Sequence, residues 1–365
     1  MAYRWPDEPF SLRTIINIVH IMNILFTCAG RRNYLIQYFK VALKSDEKVI
    51  AVDSSRFAPA LQEADQGFLV PLVDDPNYLN ILLEICRDNR VGFLIPLNDL
   101  ELPLLAQHHK KFTAIGTIPL VSSQDVIDIC FDKWRTIQFC TNHGLRTPAT
   151  YLDLVDAKIA IKNDELSFPL VLKPRWGSAS ISIEYVYDDD ELETAYKLVK
   201  KRIFRMIIGG ASAADAKHAI LIQEKLQGQE YGLDVVNDLN GNYQAVFAKL
   251  KIAMRAGETD KAETVDDPAL TDVGRRIGEN LKHIGNLDCD VFMSESDICI
   301  LEMNPRFGGG YPFSHYAGAN LPAALTAWVR GEEVRESWLS VKPGVFSAKC
   351  DHLVGWGSFK KDQEN

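Results

Sequence analysis

Two apolar runs, Leu287–Phe292 and Ile300–Arg306, are separated by the polar stretch Met293–Asp297 and followed at once by Gly308-Gly309-Gly310. The second run ends in Glu302, Asn304 and Arg306. With a side-chain period of two, Glu302 and Asn304 point to one face of a strand. Pairing the runs as a hairpin centred near Ser296 sets Asp290 opposite Glu302 or one residue away. Two carboxylates and an amide oxygen then converge, with an arginine beside them. Paired carboxylates repel unless a cation lies between them, and oxygen ligands near a guanidinium suit Mg²⁺ bridging phosphates. A strand end with solvated acids accounts for any one of these residues. The set together predicts a metal–phosphate site at Asp290, Glu302 and Asn304, with Arg306 on the phosphate.

A chain of 365 residues has room for two or three lobes and a sizeable core. Its net charge of −9 and pI near 5.5 argue against a general nucleic-acid binder. Seven cysteines are scattered without CxxC spacing, mostly inside apolar runs, which reads as reduced thiols in a cytoplasmic protein. The apolar stretch Ile15–Phe26 is broken by Asn17, His20 and Asn23 and is too short to span a bilayer, so no membrane association is expected. Residues 1–21 read as an extension, with Met22 as an alternative start.

Residues 23–120 alternate strand and helix: NILFT, VIAVD, GFLVP, GFLIPL and a short segment near Ala114–Gly116, with helices between. That pattern predicts a doubly wound parallel sheet. Gly30 followed by Asp53 invites a dinucleotide-binding reading, but Arg31 and Arg32 stand where a GxGxxG turn needs small residues. Asn98, Asp99 and Glu101 follow a strand at the edge where such sheets bind ligands, and are candidate substrate contacts or a solvated loop. In FPLVLKPRWGSASISI, residues 168–183, Lys173 ends a β-rich run before the turn holding Gly177, Ser178 and Ser180. Backbone N–H groups of such a turn can cradle phosphate oxygens, with Lys173 as a point charge, although this is no Walker loop. Asp188–Phe204 reads as a helix with acids first and bases last. Residues 205–219 read as a mobile loop, 243–254 as a strand with Lys249 and Lys251 on one face, and Arg255–Glu258 as the opening of a charged loop. Asp267 and Pro268 start a helix over 269–283, ended by Gly285. Nothing after about residue 340 has evident chemistry.

Glu-Met-Asn-Pro-Arg at a strand end, after an acid on the preceding strand, resembles the metal-binding end of the ATP-grasp superfamily. The resemblance covers about residues 23–330. It implies an N-terminal Rossmann-like pre-ATP-grasp domain followed by a two-lobed α+β ATP-grasp fold. The expected divisions are 1–21 extension, 22–120 pre-domain, 121–168 linker and start of the ATP-grasp part, 169–236 lid lobe, 237–340 C-terminal lobe with the metal site, and 341–365 terminal segment. By the same resemblance Lys133, at the start of a helix in 130–150, reaches the ATP phosphates, and the strand–loop–strand after Lys173 is the lid. Glu224 and Leu226 offer backbone groups to adenine with Gln223 nearby, and Glu230 takes the ribose hydroxyls. Arg255 and Arg306 reach the transferred phosphate, while Gly309 and His315 face the acceptor.

The implied reaction is attack of a carboxylate on the ATP γ-phosphate, then displacement of phosphate by an amine. ATP and two Mg²⁺ are the implied cofactors, with Mn²⁺ able to substitute, and the partners are a small-molecule carboxylate and an amine, with a homodimer as the expected assembly. A carbamoyl-phosphate-synthetase-like activity is the alternative within enzymes; it phosphorylates twice with two ATP-grasp halves, and this chain holds one. A regulatory protein that binds ATP without turnover is the alternative outside them.

Overall fold

The computed structural model describes residues 22–177, 182–205, 212, 213, 215–295 and 297–356. The expected extension 1–21, Ser178 and Ser180 of the phosphate turn, residues 206–211 and 214 of the loop within 205–219 and the hairpin centre Ser296 lie outside the described residues. So does the tail from 357.

The first five strands are β1 (Asn23–Thr27), β2 (Val49–Asp53), β3 (Gln66–Leu69), β4 (Val91–Pro96) and β5 (Ile118–Pro119). They pair in parallel in the order β3-β2-β1-β4-β5. Ile24, Leu25 and Phe26 are fully buried because helices cover both faces, which is why β1 reads as an unbroken apolar run. Helix α1 (Asn33–Ala42) buries Leu35, Ile36 and Phe39 on this sheet. Residues 114–116, read as a strand from the sequence, form a turn instead; Ile118–Pro119 follow as the strand. The strand order reverses between β1 and β4, and the crevice at their C-terminal ends faces the rest of the molecule. Asp53 is committed there to the backbone, accepting from Gly30 N at 2.8 Å and Ser55 N at 2.8 Å.

The linker helix expected within 130–150 is α3 (Lys133–Asn142), and a separate helix, α2 (Gln124–Phe131), precedes it. Asp132 breaks them. Its backbone is extended, and its carboxylate caps α3 from Trp134 N at 3.0 Å and takes Arg175 at 2.6 Å. Lys133 is therefore the first residue of α3.

A four-stranded antiparallel sheet follows, ordered β6-β9-β7-β8. Its strands are β6 (Thr150–Tyr151), β7 (Leu170–Pro174), β8 (Glu184–Val186) and β9 (Ile220–Glu224). Helix α4 (Asp189–Ile203) backs it with Leu192, Val199 and Ile203. Asp188 caps that helix through Glu191 N at 2.8 Å, and its acids-first, bases-last charge order matches the dipole.

The largest sheet has the order β14-β13-β10-β11-β12-β15, antiparallel throughout. It comprises β10 (Gln229–Asn237), β11 (Tyr243–Arg255), β12 (Glu258–Val265), β13 (Gly285–Met293), β14 (Ile298–Asn304) and β15 (Phe346–Ala348). Helix α5 (Pro268–Leu281) covers one face, capped by Asp267. It ends with Lys282 in the left-handed conformation (φ 58°), three residues before Gly285, which instead begins β13. The break between the two antiparallel sheets falls at Lys225–Gly228, so β10 belongs to the larger one.

Helices α6 (Tyr311–Tyr316) and α7 (Leu321–Arg330) tie the large sheet to the parallel one. Phe39 stands edge-on to Phe26 at 5.1 Å and to Phe307 at 6.0 Å, and Phe307 meets Tyr311 at 4.8 Å. This aromatic row fixes the glycine run against the crevice of the first sheet.

Candidate functional site

One face of the large sheet is charged across four adjacent strands. The register sets Asp290 opposite Glu302 and Asp288 opposite Asn304 on β13–β14, and Asp234 opposite Asp288 on β10–β13. Gly232 lies opposite both Asp290 and Lys249. A Cβ on Gly232 would stand 3.3 Å from Lys251 Cε and 3.4 Å from Lys249 Cε, so its missing side chain is the room through which both lysines cross β10. Lys251 Nζ bridges Glu230 Oε1 at 2.8 Å and Asp290 Oδ1 at 2.5 Å. Lys249 Nζ pairs with Asp234 Oδ2 at 2.6 Å with both side chains fully buried, and Ser314 Oγ and Asn286 Nδ2 complete the carboxylate's partners.

The glycine run is shaped by these charges. A Cβ on Gly308 would sit 2.0 Å from Asp288 Cγ, one on Gly309 2.9 Å from the Glu258 carboxyl carbon, and one on Gly310 2.7 Å from Lys249 Cε. Each glycine thus admits a charged side chain against the backbone.

Arg306 is buried and donates to Asp99 at 2.7 Å and Asp288 at 3.3 Å, joining β14 to the crevice of the parallel sheet. Burial alone would lower its pKa, but Asp99 and Asp288 hold it above the usual arginine value. Burial pushes Asp290 up to about 7, Lys251 works against that, and Asp288 and Glu302 add to it. Glu302 goes the other way: burial raises it, yet Lys133, Lys173 and Lys251 hold it below the ordinary carboxylate range. Lys173 is pushed down to about 8, first by burial and then by Lys133. Lys133 Nζ lies 4.0 Å from Glu302 Oε2 and donates to the Gly177 carbonyl.

Two cavities meet at Asp290 and Glu302. One, of about 400 Å³, lies between the two antiparallel sheets, with Lys133, Lys173, Gly177, Gln223, Glu224, Leu226 and Glu230 in its wall beside the apolar Val171, Tyr185, Phe292 and Leu301. The other, of about 180 Å³ and more polar, is walled by Asn98, Asp99, Asn304, Arg306 and Gly309. Lys133, Lys173, Glu224, Leu226, Glu230, Asp290, Glu302, Asn304 and Arg306 are thus brought to one continuous cleft.

Others are placed elsewhere. Arg255 is not with the Asp290–Glu302 pair: half exposed, it pairs with Asp260 at 2.9 Å and Asp351 at 2.6 Å. The expected charged loop after it is a two-residue turn, Ala256-Gly257, both with positive φ (51° and 78°), so β11 runs straight on into β12 and takes Arg255 away from the cleft. Glu101 is turned inward, accepting from Tyr78 Oη at 2.9 Å and the N–H groups of Leu97 and Asn98; it braces the end of β4. His315 stacks on Tyr38 at 3.7 Å and faces Tyr311 Oη, with burial pushing it down to about 4, so its imidazole is neutral. The Glu224 carboxylate is occupied by Ala149 N at 3.0 Å, joining β9 to the start of β6.

Three cleft residues, Asp288, Arg32 and Glu258, escaped the sequence reading, as did the fully buried Asp234. Asp288 was the most accessible, two residues before Asp290 and hence on the same face. Arg32 donates to the carbonyls of Leu97 at 2.9 Å and Phe307 at 2.7 Å and lies 3.7 Å from Glu258. No local pattern marks a residue whose partners are 65 and 275 positions away.

Two family models match the chain. One, described as PylC-like, N-terminal domain, covers residues 24–121, and one, described as ATP-grasp in the biosynthetic pathway with Ter operon, covers 216–348. The chain is 22% identical over 286 residues to the carbamoyl phosphate synthase large chain of Methanothrix thermoacetophila, covering 75% of this chain and 24% of that protein. It is 23% identical over 267 residues to the formate-dependent phosphoribosylglycinamide formyltransferase of Prochlorococcus marinus, covering 71% and 63%. The chain thus spans less than two thirds of the length of either relative. Among solved structures, the biotin carboxylase domain of Hydrogenobacter thermophilus 2-oxoglutarate carboxylase, in complex with MgADP, ADP and bicarbonate, superposes with a TM-score of 0.69 at 16% identity, covering 89% of this chain and 73% of that one. An L-amino acid ligase from Bacillus licheniformis gives a TM-score of 0.64 at 19% identity, covering 85% and 75%. Among the described residues no helix is long and apolar enough to cross a membrane.

Proposed function

We propose that this ATP-grasp protein is a ligase that activates a carboxylate as an acyl phosphate and joins it to an amine, releasing ADP and phosphate. The observation behind this reading is the continuity of the two cavities. The larger, part-apolar one suits a nucleoside, and it opens at Asp290 and Glu302 into a small polar one that suits a carboxylate and a phosphoryl group.

In this reading adenine lies against Val171 and Leu301 with the Glu224–Leu226 backbone at its edge, and Glu230 takes the ribose diol. Lys133 and Lys173 bind the phosphates, with Gly177 beside them. Asp290, Glu302 and Asn304 would hold Mg²⁺, two ions in all, with Mn²⁺ able to substitute. The donors fit a hard cation: they are oxygens, they are mostly shielded from water, and Asp290 and Glu302 stand opposite each other on β13 and β14. Among the described residues no three His, Cys, Asp or Glu side chains form a metal cluster. The ions would supply neutralisation of the charge on the terminal phosphates.

The protein's own part is positioning. The substrate carboxylate, held near Arg306, attacks the γ-phosphorus; the bond from that phosphorus to the β-bridging oxygen breaks and ADP leaves with the electron pair. An amine then attacks the acyl carbon, the carbon–oxygen bond to phosphate breaks, and the nitrogen gives up one proton. Burial of Arg306 between Asp99 and Asp288 fixes its guanidinium in advance, so no reorganisation is needed as charge develops. Nucleotide chromatography over a panel of carboxylate–amine pairs tests the reading. Stoichiometric ADP and phosphate are expected; AMP and pyrophosphate would overturn it.

A further inference from the structure

A third cavity, of about 760 Å³, is separate from those two. It lies under the segment carrying β15, between that segment, α1, the β11–β12 turn and α6, and it meets the small polar cavity at Glu258 and Thr259. Its wall is aromatic, with Tyr34, Tyr38, Phe313, Tyr316 and Phe346. Tyr316 and Phe346 are 72% and 57% exposed, more apolar surface than a closed wall would leave. Two hydroxyls in this wall, Tyr34 Oη and Ser347 Oγ, have no hydrogen-bond partner among the described residues.

The charges are arranged as opposites around it. Asp351 places its carboxylate between Arg255 at 2.6 Å and Arg31 at 3.4 Å, and Lys349, two residues earlier, places its ammonium 3.2 Å from Glu258. The same short segment therefore offers an ammonium to an acid and a carboxylate to two arginines.

We infer that this cavity is the site for the amine substrate, a zwitterionic amino-acid-like acceptor with an aromatic or other apolar body, and that Lys349 and Asp351 occupy its two polar subsites as an internal competitor. The inference rests on the ligase reading above and names the acceptor class for it. The acceptor's carboxylate takes Asp351's place on Arg255 and Arg31, its amine takes Lys349's place on Glu258 at the entrance to the polar cavity, and its body lies on Tyr34, Phe313 and Phe346. A segment that must be displaced lowers apparent affinity by the fraction of time it is away.

The two halves of one ion pair therefore have opposite effects on binding. Calorimetry on the full chain without nucleotide uses L-phenylalanine, 3-phenylpropionate, which lacks the amine, and phenethylamine, which lacks the carboxylate. Asp351→Asn is expected to tighten L-phenylalanine and 3-phenylpropionate by about fivefold to tenfold and to leave phenethylamine unchanged. Arg255→Ala is expected to weaken the same two acids by about tenfold, the loss of one charge-assisted contact. Lys349→Met should tighten phenethylamine and L-phenylalanine only. A structural role for the segment would move Asp351→Asn and Arg255→Ala in the same direction, and that result, or no saturable binding of L-phenylalanine to wild type and Asp351→Asn alike, overturns the site. Release of ADP and phosphate is measured separately. Opposite-sign binding without ADP release refutes the ligase reading and keeps the site; ADP release with some other acceptor and no effect of these variants does the reverse.

Discussion

Strand β11 ends in two worlds. Lys249 and Arg255 lie six residues apart on it, and each pairs with an aspartate. Lys249 and Asp234 are fully out of water, while Arg255 and Asp351 keep 46% and 65% of their side-chain surface exposed. A buried pair has no alternative partner: removing one member strands a charge where water cannot reach it. An exposed pair exchanges its partner for water or for a ligand at a far smaller cost. The first therefore holds the floor of the cleft in place, and the second is suited to being displaced.

The largest expected effect lies on the buried side. Glu302→Ala should lower turnover by about 10³-fold or more while leaving adenine-nucleotide binding largely intact, since Glu302 faces the phosphate end of the cleft. Steady-state ADP release and a nucleotide titration on the same preparation check this, and unchanged turnover would remove Glu302 from the site. Next, Asp234→Asn should destabilise the fold by about 3–5 kcal/mol, the cost of an unpaired buried lysine, read from urea unfolding. Asp351→Asn should leave the unfolding midpoint essentially unchanged in the same assay. Similar values for the two would erase the contrast.

A pH dependence comes third. The Lys173 ammonium is pushed down to about 8 by burial and by Lys133, so its folded pKa lies below the unfolded value. The unfolded chain then binds more protons between the two values, so this group's contribution to stability rises as pH climbs from about 8. Nucleotide affinity moves the other way, because the charge that meets the phosphates is lost. Affinity for MgATP should fall by up to about tenfold between pH ~7 and ~9, and Lys173→Arg should flatten the curve. The smallest effect is on the β11–β12 turn: Ala256→Gly should stabilise by about 1 kcal/mol, because alanine is held at a positive φ of 51° that glycine adopts freely. No gain in melting temperature would mean the turn relaxes.

Alternation of strand and helix over 23–120 was enough to give the parallel sheet, since a strand flanked by helices on both faces must be apolar throughout, as β1 is. The two-residue period on 287–304 brought Asp290 opposite Glu302 or one residue away, and the observed pairing, which shifts register just after Asp290, sets the two opposite. These are local constraints, and a chain states them directly.

What the sequence could not determine is which charges share a partner. Arg306 finds Asp99 across 207 residues, and Lys349 finds Glu258 across 91. Arg255, expected at the transferred phosphate, is taken elsewhere by a turn only two residues long. Residues 342–351 looked empty of chemistry because nothing within them makes a motif. Only when β15 pairs with β12, through Lys261–Ala348 and Glu263–Phe346, do Lys349 and Asp351 stand over a cavity. Coulomb attraction and burial depend on distance in space, so the pairing of distant charges is decided by the packing of the three sheets. The composition of any one stretch does not decide it.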